Sequence, residues 1–404
     1  MIWKLIDNEI NPFLNFIIMK KNLFFVAMAA AAMTFGSCSK DADVPTEPME
    51  AGTIEFSLSP NAGITRAAGG RDLYSEEALQ KVTDMKVYAF KLSGENYVYE
   101  TVSVLNADGI TSASQPYFTV AWAEGTASKT YVVKPKFADG AKYKFLAVGL
   151  DAGKAAYADL VLTANSTKIE EAALAIANNA AAREAFAGIS AETTINTTTG
   201  TKVAIELKRV VAGVLGYFVN IPSKVDAVDV KKVAVKLYTT QSASVNLSTK
   251  AGSGTVASSE TLMTLEVPDG ATVSEDGKYV FNQTLPNGVV TVANSLLGGV
   301  FTLPKAAPSE GAYTLCVELQ DASGVMLKNW NVKIDTKQDV DSDTNKKLYS
   351  LLANNLYSIG KKVESGTTTP EPGDPDEPVD LSKDQEIVIT VNPAWDAMHD
   401  MELE

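Results

Sequence analysis

The sequence predicts an all-β protein with minor helices, and three observations carry that prediction. Short segments alternate apolar and polar residues, Gly, Asn, Asp and Pro mark their boundaries, and they recur about every 8–12 residues. Many short strands at this spacing favour β-sandwiches. The length of 404 residues exceeds what one ordinary core fills and predicts two domains. A hydrophobic share of 46% excludes a largely disordered chain.

Taken in order, residues 1–18 are set aside as an upstream extension from a misplaced start codon. A signal peptide follows over 19–37: Met19, a positive start at Lys20 and Lys21, and the uncharged run LFFVAMAAAAMTF over 23–35. That run is too short to span a bilayer and suits a signal core. It ends at Phe35-Gly36-Ser37-Cys38, where two small residues before a cysteine mark Cys38 as a lipidation site, although Leu is more usual than Phe at that distance. The alternatives are a cleaved secretory peptide in which Cys38 is incidental, or a short buried helix.

Residues 53–59 (TIEFSLS) then place Ile54, Phe56 and Leu58 on one face, and Pro60 ends the strand. Further strands are expected at 84–92, 97–105, 117–121, 130–136, 142–150, 202–207, 213–220 and 228–238. The series continues at 259–267, 277–283, 289–293, 299–303, 312–319 and 325–334. Two helices interrupt it. Ser75 is an N-cap candidate followed by Glu76 and Glu77. Residues 168–187 are alanine-rich without Gly or Pro, and Gly188 reads as their stop. The Ser/Thr/Gly-rich stretch 242–258 lacks bulky aromatics and places a domain boundary near 250, giving domains over 67–250 and 251–363.

Residues 348–363 read as a turn or short helix followed by a strand. From 364 to 380 the chain holds six acids, four prolines and no basic residue, a composition for an extended linker running to about 383. Strand character resumes at 385–391 (QEIVITV), with Ile387, Ile389 and Val391 on one face and Trp395 just beyond, in a final segment 384–404. A lone strand needs a sheet to join. It either folds back on its own domain or enters another subunit's sheet.

Composition narrows the chemistry. A net charge of −14 argues against nucleic acid, which needs concentrated Lys and Arg. A single histidine, His399, leaves no Ser-His-Asp or multi-histidine zinc arrangement. No cofactor or metal site is expected, and a carboxylate-based hydrolase has no motif to name. With Cys38 as lipid carrier, Cys316 reads as a small buried hydrophobe.

The first and last strands are alike. Ile54, Phe56 and Leu58, like Ile387, Ile389 and Val391, each offer three large apolar residues at i, i+2 and i+4, so one groove can accept either. After the first strand comes Asn61-Ala-Gly-Ile-Thr-Arg66-Ala67-Ala-Gly-Gly70, a small-residue loop suited to proteolytic nicking, with Arg66 directing an arginine-specific protease and Arg71 competing.

These features together resemble the fimbrillins of Bacteroidales, the FimA-type major subunits of type V pili. The resemblance rests on Cys38, Thr65-Arg66/Ala67, Leu207-Lys-Arg-Val-Val-Ala212 and Asn355-Leu-Tyr-Ser-Ile-Gly360. It rests also on the Pro-Glu-Pro-Gly-Asp-Pro-Asp-Glu-Pro run at 370–378 and Ile389-Thr-Val-Asn-Pro-Ala-Trp395. It implies two tandem transthyretin-like sandwiches and export to the outer membrane as a lipoprotein. It implies cutting after Arg66, loss of residues 38–66 with the displaced first strand, and filling of the groove by another subunit's last strand. Strand addition of this kind gives an open head-to-tail fibre. The implied partners are other copies, related fimbrial subunits, the arginine-specific protease and a host or bacterial surface ligand. The alternative is a non-polymerising surface lipoprotein, or a tip or accessory adhesin binding glycan or host protein.

Overall fold

The computed structural model describes residues 49–60, 82–104, 114–122, 128–151, 155–177, 180–256, 260–285, 290–309, 312–334, 340–341, 346–347, 349–362, 376–385 and 387–392. Within them the chain is all-β, with several sheets and one short 3₁₀ turn at Ile169–Glu171. The first large sheet contains β1 (Ile54–Pro60), β2 (Asp84–Ser93), β3 (Asn96–Glu100), β4 (Phe118–Ala121) and β5 (Lys129–Val133). It continues with β6 (Lys142–Leu150), β7 (Ala185–Ile189) and β8 (Thr201–Arg209). The strand order is β3-β2-β6-β7-β8-β1-β5, with β4 on the first half of β2.

This sheet rolls over on itself. Phe56 on β1 lies 5.0 Å, ring to ring, from Phe145 on β6. The two strands are three places apart in the sheet, which would put them about 14 Å apart in a flat one. Rolling encloses a core of Ile54, Phe56, Leu58, Met85, Val87, Phe118, Phe145, Phe186, Val203, Ile205 and Leu207. Along β8 the buried Val203, Ile205 and Leu207 alternate with the exposed Lys202, Ala204 and Glu206, the pattern of a strand with one wet face.

The chain passes to the second large sheet at Val210–Val211, both fully buried. That sheet contains β9 (Ala212–Val219), β10 (Lys232–Leu237), β11 (Thr261–Glu266) and β12 (Ser295–Thr302). It is completed by β13 (Leu315–Gln320), β14 (Met326–Ile334), β15 (Leu356–Ile359) and β16 (Ile387–Asn392). The order is β11-β10-β13-β14-β16-β15-β9-β12. Its own core joins Val214, Phe218, Val233, Val235, Val317, Trp330, Val332, Tyr357, Ile359 and Ile387. A third cluster takes the outward residues of the first sheet, Tyr88, Phe90, Leu146 and Val148, together with Leu215, Tyr217, Leu297 and Phe301 of the second.

The helix expected over 168–187 is not there. The stretch holds the 3₁₀ turn, a strand at Ala173–Ala175 and β7. Alanine's helix propensity is a weak prior that tertiary pairing overrides. In β7 Phe186 enters the first core while Ala185 and Ala187 face the third cluster, a period of two that the small side chains disguise. Gly188 is no helix stop. A Cβ there would sit 2.1 Å from the Glu206 carbonyl oxygen, so the residue allows the β8 backbone to approach.

Residues 290–292 carry no strand, Val290 is exposed, and the strand runs instead over Ser295–Thr302. The stretch 242–258 is not structureless either. Its Ser244–Asn246 strand pairs with both Gly252–Ser253 and Ala173–Ala175, and Val245 and Leu247 are buried. The helix expected after Ser75 lies outside the described residues.

Candidate functional site: two slots, each filled by one strand

β1 is an interior strand. Its residues Ile54 to Pro60 run parallel to Thr201 to Leu207 of β8, and Ile54 to Leu58 run antiparallel to Val133 to Lys129 of β5. Ile54, Phe56 and Leu58 are all at most 1% exposed. Ser57 and Ser59 on the other face are exposed, and Glu55 pairs with Lys202 at 3.7 Å. The approach to the strand is held as well. Gly52 N–H donates to Thr197 O at 2.7 Å, and Thr201 N–H donates to Thr53 O at 2.9 Å.

β16 occupies a second slot of the same kind. Ile387, Val388 and Ile389 run parallel to Val332, Lys333 and Ile334 of β14. Thr390, Val391 and Asn392 run antiparallel to Ser358, Tyr357 and Leu356 of β15. Ile387 is 2% exposed and belongs to the second core. The structure thus places the last strand in its own chain's sheet, the fold-back arrangement of the two that the spacing left open. Each slot has one parallel and one antiparallel wall, so the likeness seen in the side chains extends to the backbone partners. Slots of this kind bind through main-chain ladders and select through alternate side chains.

Between the slots a buried polar clamp holds the segment leading to β16. Lys362 pairs with Asp376 at 3.0 Å, with side chains 5% and 14% exposed. The Tyr217 hydroxyl donates to Asp376 Oδ2 at 2.9 Å and accepts from Val292 N–H at 2.8 Å. Lys361 and Glu377 exchange both backbone hydrogen bonds at 2.8 Å. Gly360 has φ of +83°, and a Cβ there would meet the Tyr217 carbonyl oxygen at 2.6 Å. Beyond it Val379 and Asp380 run parallel to Phe218 and Val219, and Leu381 is fully buried. Although burial acts against it, hydrogen bonds from the Ser382 hydroxyl and amide hold the Asp380 carboxyl down at about 2.

Burial pushes the Tyr217 phenol up to about 12, with Asp376 adding to the effect. The folded state therefore holds a proton that the unfolded chain loses near 10. This contribution is complete below pH 10 and lost as pH rises through 12. Tyr217→Phe should show a smaller fall in urea midpoint across that window than the wild type.

Cys38, Arg66, Ala67 and Trp395 lie outside the described residues, as do the side chains of Ile389 and Val391. Cys316 is buried and its thiol is pushed up to about 11, as befits core filling. Trp122 and Trp330 are buried, 5% and 6% exposed, and form no exposed platform. Among the described residues no group of three His, Cys, Asp or Glu could hold a metal ion, and no helix is long and apolar enough to cross a membrane. The clamp escaped sequence reading because Asp376 and Glu377 look like linker acids and Lys362 like a solvated lysine.

A family model described as "Fimbrillin-A associated anchor proteins Mfa1 and Mfa2" matches residues 50–282. No curated protein matches. Among solved structures, the fimbrial anchor protein Mfa2 from Porphyromonas gingivalis is similar at 11% identity and a TM-score of 0.38, covering 84% of this chain and 98% of its own. A protein described as an adhesin from Bacteroides thetaiotaomicron gives 12% identity, a TM-score of 0.42 and coverages of 85% and 97%. One described as a cell adhesion protein from Parabacteroides distasonis gives 13%, 0.38, 85% and 97%. At such identities and scores, the family match alone carries the assignment.

Proposed function

The chain belongs to the family of fimbrillin-A associated anchor proteins Mfa1 and Mfa2, and from that premise we propose that it is an accessory, anchor-type subunit of a surface fimbrium. The family's description is of anchor proteins associated with fimbrillin, and in the proposed reading the chain is a non-catalytic surface protein that serves adhesion. In the proposed reading Cys38 carries lipid, which holds the protein at the outer membrane. The two large sheets belong to tandem transthyretin-like domains. β16 leaves its slot to join a neighbouring subunit, and no cofactor takes part.

One observation carries the anchor role. β1 lies between Cys38 and Arg66 in sequence and is paired on both edges with its apolar face fully buried. A cut after Arg66 separates lipid from body covalently, so a subunit that serves as an anchor keeps this connection intact. The reading predicts that peptide mapping of the surface form finds 49–60 continuous with residues beyond Arg71. It also predicts that Cys38→Ala releases the protein into the medium. A mature N-terminus at Ala67 in assembled fimbriae would overturn it. That result would favour the second reading, a polymerising shaft subunit whose β1 slot receives another copy's strand. The matched walls of the two slots are what support that alternative.

A further inference from the structure

The segment before β16 looks in sequence like a long extended tether, yet residues 376–383 of it are fastened. Whatever path residues 363–375 take, their ends are held side by side by the Lys361–Glu377 backbone pair and the Lys362–Asp376–Tyr217 cluster. The chain is then pinned at each step onward. Val379 and Asp380 pair with β9, Leu381 fills the core and its N–H donates to Val219 O at 3.0 Å. Trp330 Nε1 donates to Lys383 O at 3.3 Å. Between Lys383 and the start of β16 at Ile387 only residues 384–386 remain.

From this, and resting on the reading that β16 is donated to a neighbouring subunit, we infer that the chain hinges just after Lys383, its last fixed point in the body, when β16 is donated, and that the receiving subunit docks directly against this end of the second sheet. The four residue steps from Lys383 to Ile387 span at most about 14 Å when extended. The acid- and proline-rich stretch adds nothing to that reach while the clamp holds. The receiving slot must therefore come within about 14 Å of Lys383, a limit set by extended-chain length. The docking surface is the patch around Lys328, Ser382 and Lys383, next to a cleft of about 540 Å³ between Ser223, Lys224, Gly277 and Ser382. The partner is a fimbrial subunit presenting one parallel and one antiparallel strand edge. The joint is a close-packed one.

Three variants, scored by recovery in the fimbrial fraction of producing cells and by melting of the purified protein, test this. Replacing residues 364–375 with an Asn-Gly turn, which the paired ends of the loop accommodate, should leave incorporation unchanged. Deleting Asp384 and Gln385 should abolish incorporation, with melting lowered no further than unseating β16 by Ile387→Asp lowers it. The double variant Lys333→Cys, Val388→Cys, at residues facing each other across β14 and β16, should be blocked when oxidised and restored by reductant. Loss of incorporation in the loop replacement with melting unchanged overturns the hinge while leaving donation intact, and so does full incorporation of the hinge deletion. Full incorporation of the oxidised cysteine pair overturns donation itself and the hinge with it.

Discussion

Replacing Phe56 with alanine is expected to destabilise the first sheet by about 3–5 kcal/mol. The ring is fully buried, meets Phe145 edge-on at 5.0 Å and lies tilted against Phe118 at 5.8 Å. It stands at the centre of the rolled sheet, where β1, β4 and β6 converge. The walls facing it are strands paired on their own other edges, so they cannot close over the vacancy, and a cavity remains. Each aromatic pair adds about 0.5–1.5 kcal/mol beyond area burial. Urea unfolding followed by a probe in each half should show the first sheet melting early. A loss below about 1 kcal/mol, the size of an ordinary surface substitution's upper range, would mean that β1 is not the keystone of this core.

Ile387→Asp should detach the last strand and leave the body of the second sheet folded. The change forfeits about 1.5–3 kcal/mol of apolar burial. It also places a carboxyl among Val332, Ile334 and Tyr357, where burial without a partner costs roughly 2–7 kcal/mol even for a polar group. The hold on six residues of strand is smaller than that sum, so the strand leaves rather than carry the charge. Protease sensitivity should appear after Lys383, while residues 376–383 stay protected by their own clamp. Burial raises an acid's pKa, so the penalty is full above that raised value and is relieved progressively as pH falls from it towards the ordinary value near 4. The difference in midpoint from wild type should therefore shrink between pH 7 and pH 4. An unchanged profile at both pH values would show that Ile387 contributes nothing to the core.

The all-β class and the apolar face of β1 were legible because the period of two is unbroken there, as at Ile54, Phe56 and Leu58. Residues 168–187 were misread because alanine serves a helix and a tightly packed strand equally, and only pairing with β6 and β8 decides between them. Parallel pairing left no local signature: nothing near Ile54 announces Thr201, nor near Ile387 announces Val332. The slots became visible only when strands far apart in sequence were set side by side. The clamp was hidden for a related reason. An acid in a proline-rich run looks solvated until Tyr217 and Lys362 arrive from elsewhere.

The placement of β1 between a parallel and an antiparallel neighbour has a mechanical consequence. If a lipid at Cys38 holds one side and a fimbrium pulls on the other, tension enters through the residues ahead of β1. A pull directed along the strand loads the ladder to β8 and the ladder to β5 in shear, so their hydrogen bonds share the force at once. An edge strand peeled sideways would release its bonds one after another. The same geometry that makes β1 hard to remove by thermal motion makes it a load-bearing rivet, resistant to flow and to the drag of whatever the fimbrium grips.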